Sequence, residues 1–320
     1  MKALLSQVSG LPPLLAACLA LLLASCSPST HEPSLSSKLF ERVEVIGTRG
    51  TALGQFSKPR SVAVDDEDNL YVIDMTGRVQ KFSPDGEYLL SWYMPETEKG
   101  RPKGMMWCKD GYLVLLEPHY NRVNHFDREG KPLEQWGTAG TEEGQLHMPR
   151  AVAVHPDGDI YVCEYTTHDR VQVFSGADKS FRSTFGRHGD GPGEFNRPEG
   201  MTFDREGRLL VADSCNHRIQ RFSADGTFID AFGRPGSGPG QLSYPYDVQA
   251  DAEGRQYVCE FGNCRIQVFE RNNQPLESIG SLGYAPGQFH NPWGLAFDSK
   301  GNLYVADSGN HRVQKLIRRR

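Results

Sequence analysis

From residue 40 onward the chain alternates short apolar runs with polar stretches rich in Gly, Pro, Asn and Asp. Leu70-Tyr71-Val72-Ile73, Ile160-Tyr161-Val162 and Leu303-Tyr304-Val305 gather β-branched and aromatic residues, a composition that predicts buried strands. The 34 Gly and 20 Pro favour many short elements joined by turns over long helices. The pattern is that of an all-β protein.

The strands recur in a fixed order. Six segments follow one template: a Gly-rich turn, a Pro, an alternating strand, a turn, a second strand ending in Asp or Glu, then a loop and an Arg opening a third strand. In the clearest copies Arg218, Arg265 and Arg312 lie 47 residues apart, and Pro198, Pro245 and Pro292 keep the same interval. Earlier copies centre on Pro59, Pro102 and Pro149, with Arg78, Arg122 and Arg170 as third-strand markers. The second copy is the most worn, with Cys108 where Asp65, Asp204, Asp251 and Asp298 occupy the equivalent turn. A strict period over several copies predicts a repeat architecture in which neighbouring units complete each other's core.

A fourth strand is predicted at Phe181 to Phe185, Phe228 to Phe232 and Leu276 to Ile279, each followed by a Gly. Phe40 to Ile46 has the same character but no first three strands before it, and the last repeat, after Leu316, has too few residues for a fourth. The first strand is therefore expected to complete the last sheet, closing the ring and removing its exposed edges. The predicted fold is an all-β, six-bladed β-propeller of four-stranded antiparallel blades.

The runs Ala212-Asp213-Ser214-Cys215-Asn216-His217-Arg218 and Ala306-Asp307-Ser308-Gly309-Asn310-His311-Arg312 resemble the NHL repeat, and the resemblance extends over roughly residues 40 to 320. Tyr120-Asn121-Arg122, Asn263-Cys264-Arg265 and Thr76-Gly77-Arg78 depart from it. Six-bladed propellers similar to this one include binding platforms, lactonases, strictosidine-synthase-like proteins and a lyase domain acting on peptides, so the resemblance implies a fold more firmly than an activity.

The N-terminus adds a compartment. Lys2, an apolar run from Leu11 to Ala24 interrupted by Pro12 and Pro13, and then Leu23-Ala24-Ser25-Cys26 have the order of a cleaved secretory signal. The last four residues resemble the bacterial lipobox, which implies lipidation at Cys26; Ser27 after it would permit outer-membrane sorting. A cut before Cys18 would leave Leu19 to Ala24 exposed, and an uncleaved anchor would place the domain on the same side of the membrane. The expected organisation is a signal peptide at 1–25, a flexible Ser- and Pro-containing linker at 26–38 and a propeller at 39–320.

With 35 basic and 40 acidic residues there is no global positive field, and together with the export signal this argues against nucleic acid as a partner. Arg318, Arg319 and Arg320 are expected to form a solvated tail.

Among the mature cysteines, Cys163 and Cys259 stand where Ala212 and Ala306 stand in sister repeats, and read as small core residues. Cys215 and Cys264 fall in equivalent loops of successive repeats; a disulfide or metal site is conceivable there, but the separation between blades favours free thiols.

The strand-two acids (Asp74, Glu117, Glu164, Asp213, Glu260, Asp307) and the strand-three arginines read as repeated loop-fastening ion pairs rather than a catalytic set, which would need asymmetry. His217 and His311 lack the converging partners of a zinc site. No catalytic residue, metal or cofactor is assigned.

The informative positions are those that vary where the template is constant. The residue after each Pro should lie near the channel mouth: Arg60, Lys103, Arg150, Glu199, Tyr246 and Trp293. Cations on one side and rings on the other could hold an anionic or sugar-like ligand. The leading expectation is a membrane-tethered extracytoplasmic scaffold that recognises a protein, peptide or glycan. The alternative is a metal-dependent enzyme of the lactonase or lyase type, for which Glu199 and Asp247 are a thin set of channel carboxylates.

Overall fold

The computed structural model describes residues 35–166 and 168–320. The expected signal peptide, Cys26 and most of the expected linker lie outside the described residues.

Six four-stranded antiparallel sheets follow one another along the chain. Blade 1 consists of Pro59–Val64, Leu70–Asp74, Arg78–Phe82 and Tyr88–Tyr93; blade 2 of Met105–Cys108, Tyr112–Glu117, Arg122–Phe126 and Pro132–Trp136. Blade 3 begins at Pro149–Val154, blade 4 at Pro198–Phe203 and blade 5 at Pro245–Ala250. Blade 6 joins Pro292–Phe297, Leu303–Asp307 and Arg312–Arg318 to Phe40–Ile46. The pairing is antiparallel, with Val43 opposite Leu316 and Ile46 opposite Val313. The predicted clasp is present, and Pro292–Phe297 packs on Pro59–Val64 to close the ring.

The core lies between the blades, where the second strands supply fully buried faces such as Leu303, Val305, Tyr257 and Cys259. Phe40 is fully buried among these side chains and meets the Tyr257 ring edge-on at 6.2 Å. Contacts start before the expected propeller boundary: Leu35 packs on the same cluster, and Ser37 Oγ donates to Glu277 at 2.8 Å. The glycine after each fourth strand has a steric cause. Gly186 has φ +85°, and a Cβ there would stand 2.3 Å from the Phe195 ring of the following turn.

The turn aspartates are local caps: Asp65 Oδ1 accepts the backbone N–H groups of Glu67 and Asn69, and Asp298 does the same for Lys300 and Asn302. The strand-two acids fasten loops. Arg122 pairs with Glu117 at 2.6 Å, Arg170 with Glu164 at 2.6 Å, Arg218 with Asp213 at 2.8 Å, Arg265 with Glu260 at 2.5 Å and Arg312 with Asp307 at 2.8 Å. Blade 1 departs from the expected pairing, because its shorter loop leaves Arg78 donating to the carbonyls of Thr51, Ala52 and Gln55, while Asp74 accepts from the Ser57 N–H. A glutamine two residues after each arginine shares this work in five blades, as Gln220 does by donating to Glu194 O and accepting from the Gly193 N–H.

His217 and His311 terminate single 3-10 turns in left-handed conformations (φ 55° and 58°), and their Nδ1 atoms accept the N–H groups of Tyr244 and Lys58. They are structural. All five described cysteines are free thiols. The terminal arginines need correction: the last strand runs to Arg318, whose Nη1 donates to the Tyr257 hydroxyl at 2.7 Å, and Arg319 donates to Phe40 O.

Candidate functional site

The first strand of every blade starts at the same end of the channel, and a register irregularity follows its opening residue. The shift falls between Pro59 and Ser61, Pro149 and Ala151, Pro198 and Met201, Pro245 and Asp247, and Pro292 and Leu295. Such a bulge turns a side chain out of the normal alternation. It aims the residue after each Pro at the central opening. Blade 2 reaches the same outcome differently, since its first strand is assigned only from Met105, but Lys103 N–H still donates to Leu116 O and extends the pairing.

Arg60, Lys103, Arg150, Glu199, Tyr246 and Trp293 all line one cavity of 340 Å³ on the ring axis. The residue that follows each of them is small in five blades, because the first strands crowd there. A Cβ on Gly104 would lie 2.6 Å from Arg150 O, and one on Gly200 would lie 2.7 Å from Tyr246 O. The fifth blade carries Asp247 instead. Its carboxylate accepts the N–H groups of Leu295 and Val248, each at 2.8 Å, and burial pushes its pKa up to about 7.

Glu199 is the hub. It pairs with Arg150 of the preceding blade, both side chains being at most 2% exposed, and with Arg197 at 2.6 Å. Lys103 Nζ donates to the Tyr165 hydroxyl at 3.0 Å. Burial, reinforced by Arg150, lowers the Lys103 pKa to about 7, and the same two causes bring Arg60 down to about 10. The aromatic side is tightly engaged with itself and with the cations. Tyr246 stacks on Phe261 at 4.4 Å, while the Arg60 and Arg150 guanidinium carbons lie 4.8 and 5.4 Å from the Trp293 ring centre. The expected division into a cationic side and an open stacking side is therefore replaced by rings that support the guanidinium groups.

The family model described as NHL repeat matches residues 146–174, 195–222 and 289–316, which fall in blades 3, 4 and 6. The chain carries NHL repeats.

The chain is 29% identical over 183 residues to NHL repeat-containing protein 3 of Mus musculus, an alignment covering 50% of each chain, so the chain spans about half the length of that curated relative. Its fold is similar to a virginiamycin B lyase of Staphylococcus aureus (TM-score 0.61, 15% identity, 86% of this chain and 99% of that one). It is also similar to a gluconolactonase of Xanthomonas campestris (TM-score 0.63, 18% identity, 83% and 87%).

The mouth does not fit a calcium ion. Such an ion takes six or more oxygen ligands, whereas here Glu199 is held by two arginines and Asp247 by two backbone N–H groups. Among the described residues no group of three His, Cys, Asp or Glu side chains is placed to bind a metal.

Three mouth residues were not anticipated: Tyr165 and Phe261, which directly follow the strand-two acids Glu164 and Glu260, and Arg197, which precedes Pro198. The strand-two acids Glu164 and Glu260 lie opposite the opening prolines Pro149 and Pro245, which sets the residue after each acid beside the start of strand one.

Proposed function

We propose that the chain is a membrane-tethered, extracytoplasmic binding or scaffold protein whose propeller recognises a protein, peptide or glycan ligand at the channel mouth. Cys26 would carry the lipid anchor in the cell envelope, and Ser27 fits sorting to the outer membrane. The reading is supported by one observation above others. Six positions that vary within an otherwise constant repeat converge on a single cavity, and two guanidinium N–H groups there, Arg60 Nε and Arg150 Nη1, are buried without a hydrogen-bond partner.

The test compares ligand capture from membranes by the full chain and by a variant carrying Arg60→Ala, Arg150→Ala and Trp293→Ala. Capture is expected to be lost in the variant; retained capture would place the site elsewhere.

A propeller enzyme of the lactonase or lyase type is the second reading, favoured by the likeness in fold to lyase and gluconolactonase structures. Stoichiometric calcium or zinc in the purified protein would favour it. The donor set at the mouth favours the first reading.

A further inference from the structure

Four cations, Arg60, Lys103, Arg150 and Arg197, gather around one carboxylate at the mouth. Glu199 satisfies Arg150 through one oxygen and Arg197 through the other, so its charge is consumed within the wall. Arg60 and Lys103 are left without a carboxylate partner among the described residues.

Arg150 also keeps an unmet donor, Nη1, on a side chain only 2% exposed, and Arg60 keeps Nε. These groups repel one another in a poorly solvated cup, where like charges are costly to hold together. An acceptor of opposite charge would relieve both the repulsion and the unmet N–H groups.

The rings do not compete for that role. Trp293 is engaged by the two guanidinium groups, and Tyr246 by Phe261, Trp293 and the Arg197 guanidinium, so a neutral sugar would have to displace these contacts to stack.

We infer that the group entering the mouth is an oxyanion, a carboxylate or a phosphate ester, held by Arg60, Lys103 and Arg150. This rests on reading the mouth as the ligand site. Guanidinium groups offer planar forks of N–H donors that match either oxyanion, and an ammonium adds a point charge. Trp293 and Tyr246 fix the arginines rather than the ligand.

Titration calorimetry of the full chain in detergent with benzoate, phenyl phosphate, benzamide and methyl glucoside tests the inference. One or both anions should bind about tenfold or more tightly than benzamide, as charge-assisted hydrogen bonds require, and whichever of the two binds better identifies the source of the oxyanion. Arg60→Gln and Lys103→Met, each checked by circular dichroism melting, should weaken anion binding by a similar factor.

Equal binding of benzamide, or no binding of either anion, would overturn the oxyanion. If methyl glucoside bound and Trp293→Ala abolished it, the mouth would stand and the oxyanion alone would fall. Anion binding untouched by both substitutions would overturn the mouth as well.

Discussion

Arg150 and Glu199, on the first strands of neighbouring blades, form an ion pair with side chains no more than 2% exposed. The pair fixes the relative position of blades 3 and 4 at the channel mouth, and it brings Arg197 in as a second partner of the same carboxylate. Removing only the acid strands two arginines. Glu199→Ala should cost about 3 to 5 kcal/mol in urea unfolding, whereas the double change Arg150→Met with Glu199→Leu should cost distinctly less, since breaking a buried pair is worse than replacing it.

Lys103 gives the mouth a pH dependence. Arg60, Arg150, Arg197, Glu199, Tyr165 and His119 face it, and with a pKa of about 7 it is charged below neutrality and loses its charge above. Asp247, also near 7, becomes negative over the same interval. Both changes disfavour an anion as pH rises. Benzoate, whose own charge is constant there, should bind about tenfold more weakly at pH 8.5 than at pH 6, and Lys103→Arg should flatten most of that profile.

Asp247 also affects stability. Its folded pKa is raised above the ordinary carboxylate value, so its contribution is complete below pH 4 and is lost as pH rises through about 7. Thermal melting of the full chain should show a loss of stability between about pH 4 and pH 7 that is reduced in Asp247→Asn, whose amide oxygen can still accept a backbone N–H.

The clasp makes a prediction about the ring itself. Phe40 is fully buried against blades 5 and 6, and the Arg318 guanidinium lies 5.6 Å from its ring centre. Phe40→Ala should cost about 3 to 5 kcal/mol, the usual penalty for emptying a large aromatic site in a core. Chemical denaturation measures it, and a loss below about 1 kcal/mol would mean that the strand contributes little to closure.

The loop fasteners should matter for stability and not for binding. Asp307 accepts hydrogen bonds from the His290 N–H, Asn310, Arg312 and Gln314. Asp307→Ala leaves these donors unmet and should cost about 3 kcal/mol or more, with the affinity of the mouth for benzoate unchanged.

Much of the architecture was legible because a repeat states its register many times. The interval of 47 residues between Arg218, Arg265 and Arg312 aligns every strand of blades 4 to 6, and the orphan strand Phe40–Ile46 announces the clasp. The mouth was legible for a related reason: a template position that changes from Arg to Glu to Trp is free of the packing that fixes its neighbours. The bulge that turns these residues inward left no mark in the alternation.

What depends on the meeting of separate blades was not legible. Tyr165 follows a loop-fastening acid and Arg197 precedes a template proline, so their convergence on Lys103 and Glu199 emerges only when blades 2 to 4 are placed around an axis. Arg318 was misread for the same reason, since its partner Tyr257 belongs to another blade.

Hydrogen exchange of the full chain with and without saturating phenyl phosphate tests the binding mouth most directly. Slowed exchange is predicted at 101–106, 149–152, 197–201 and 293–295, where the first strands open. Protection confined to the opposite turns, at 155–159, 204–208 and 251–255, would contradict the account.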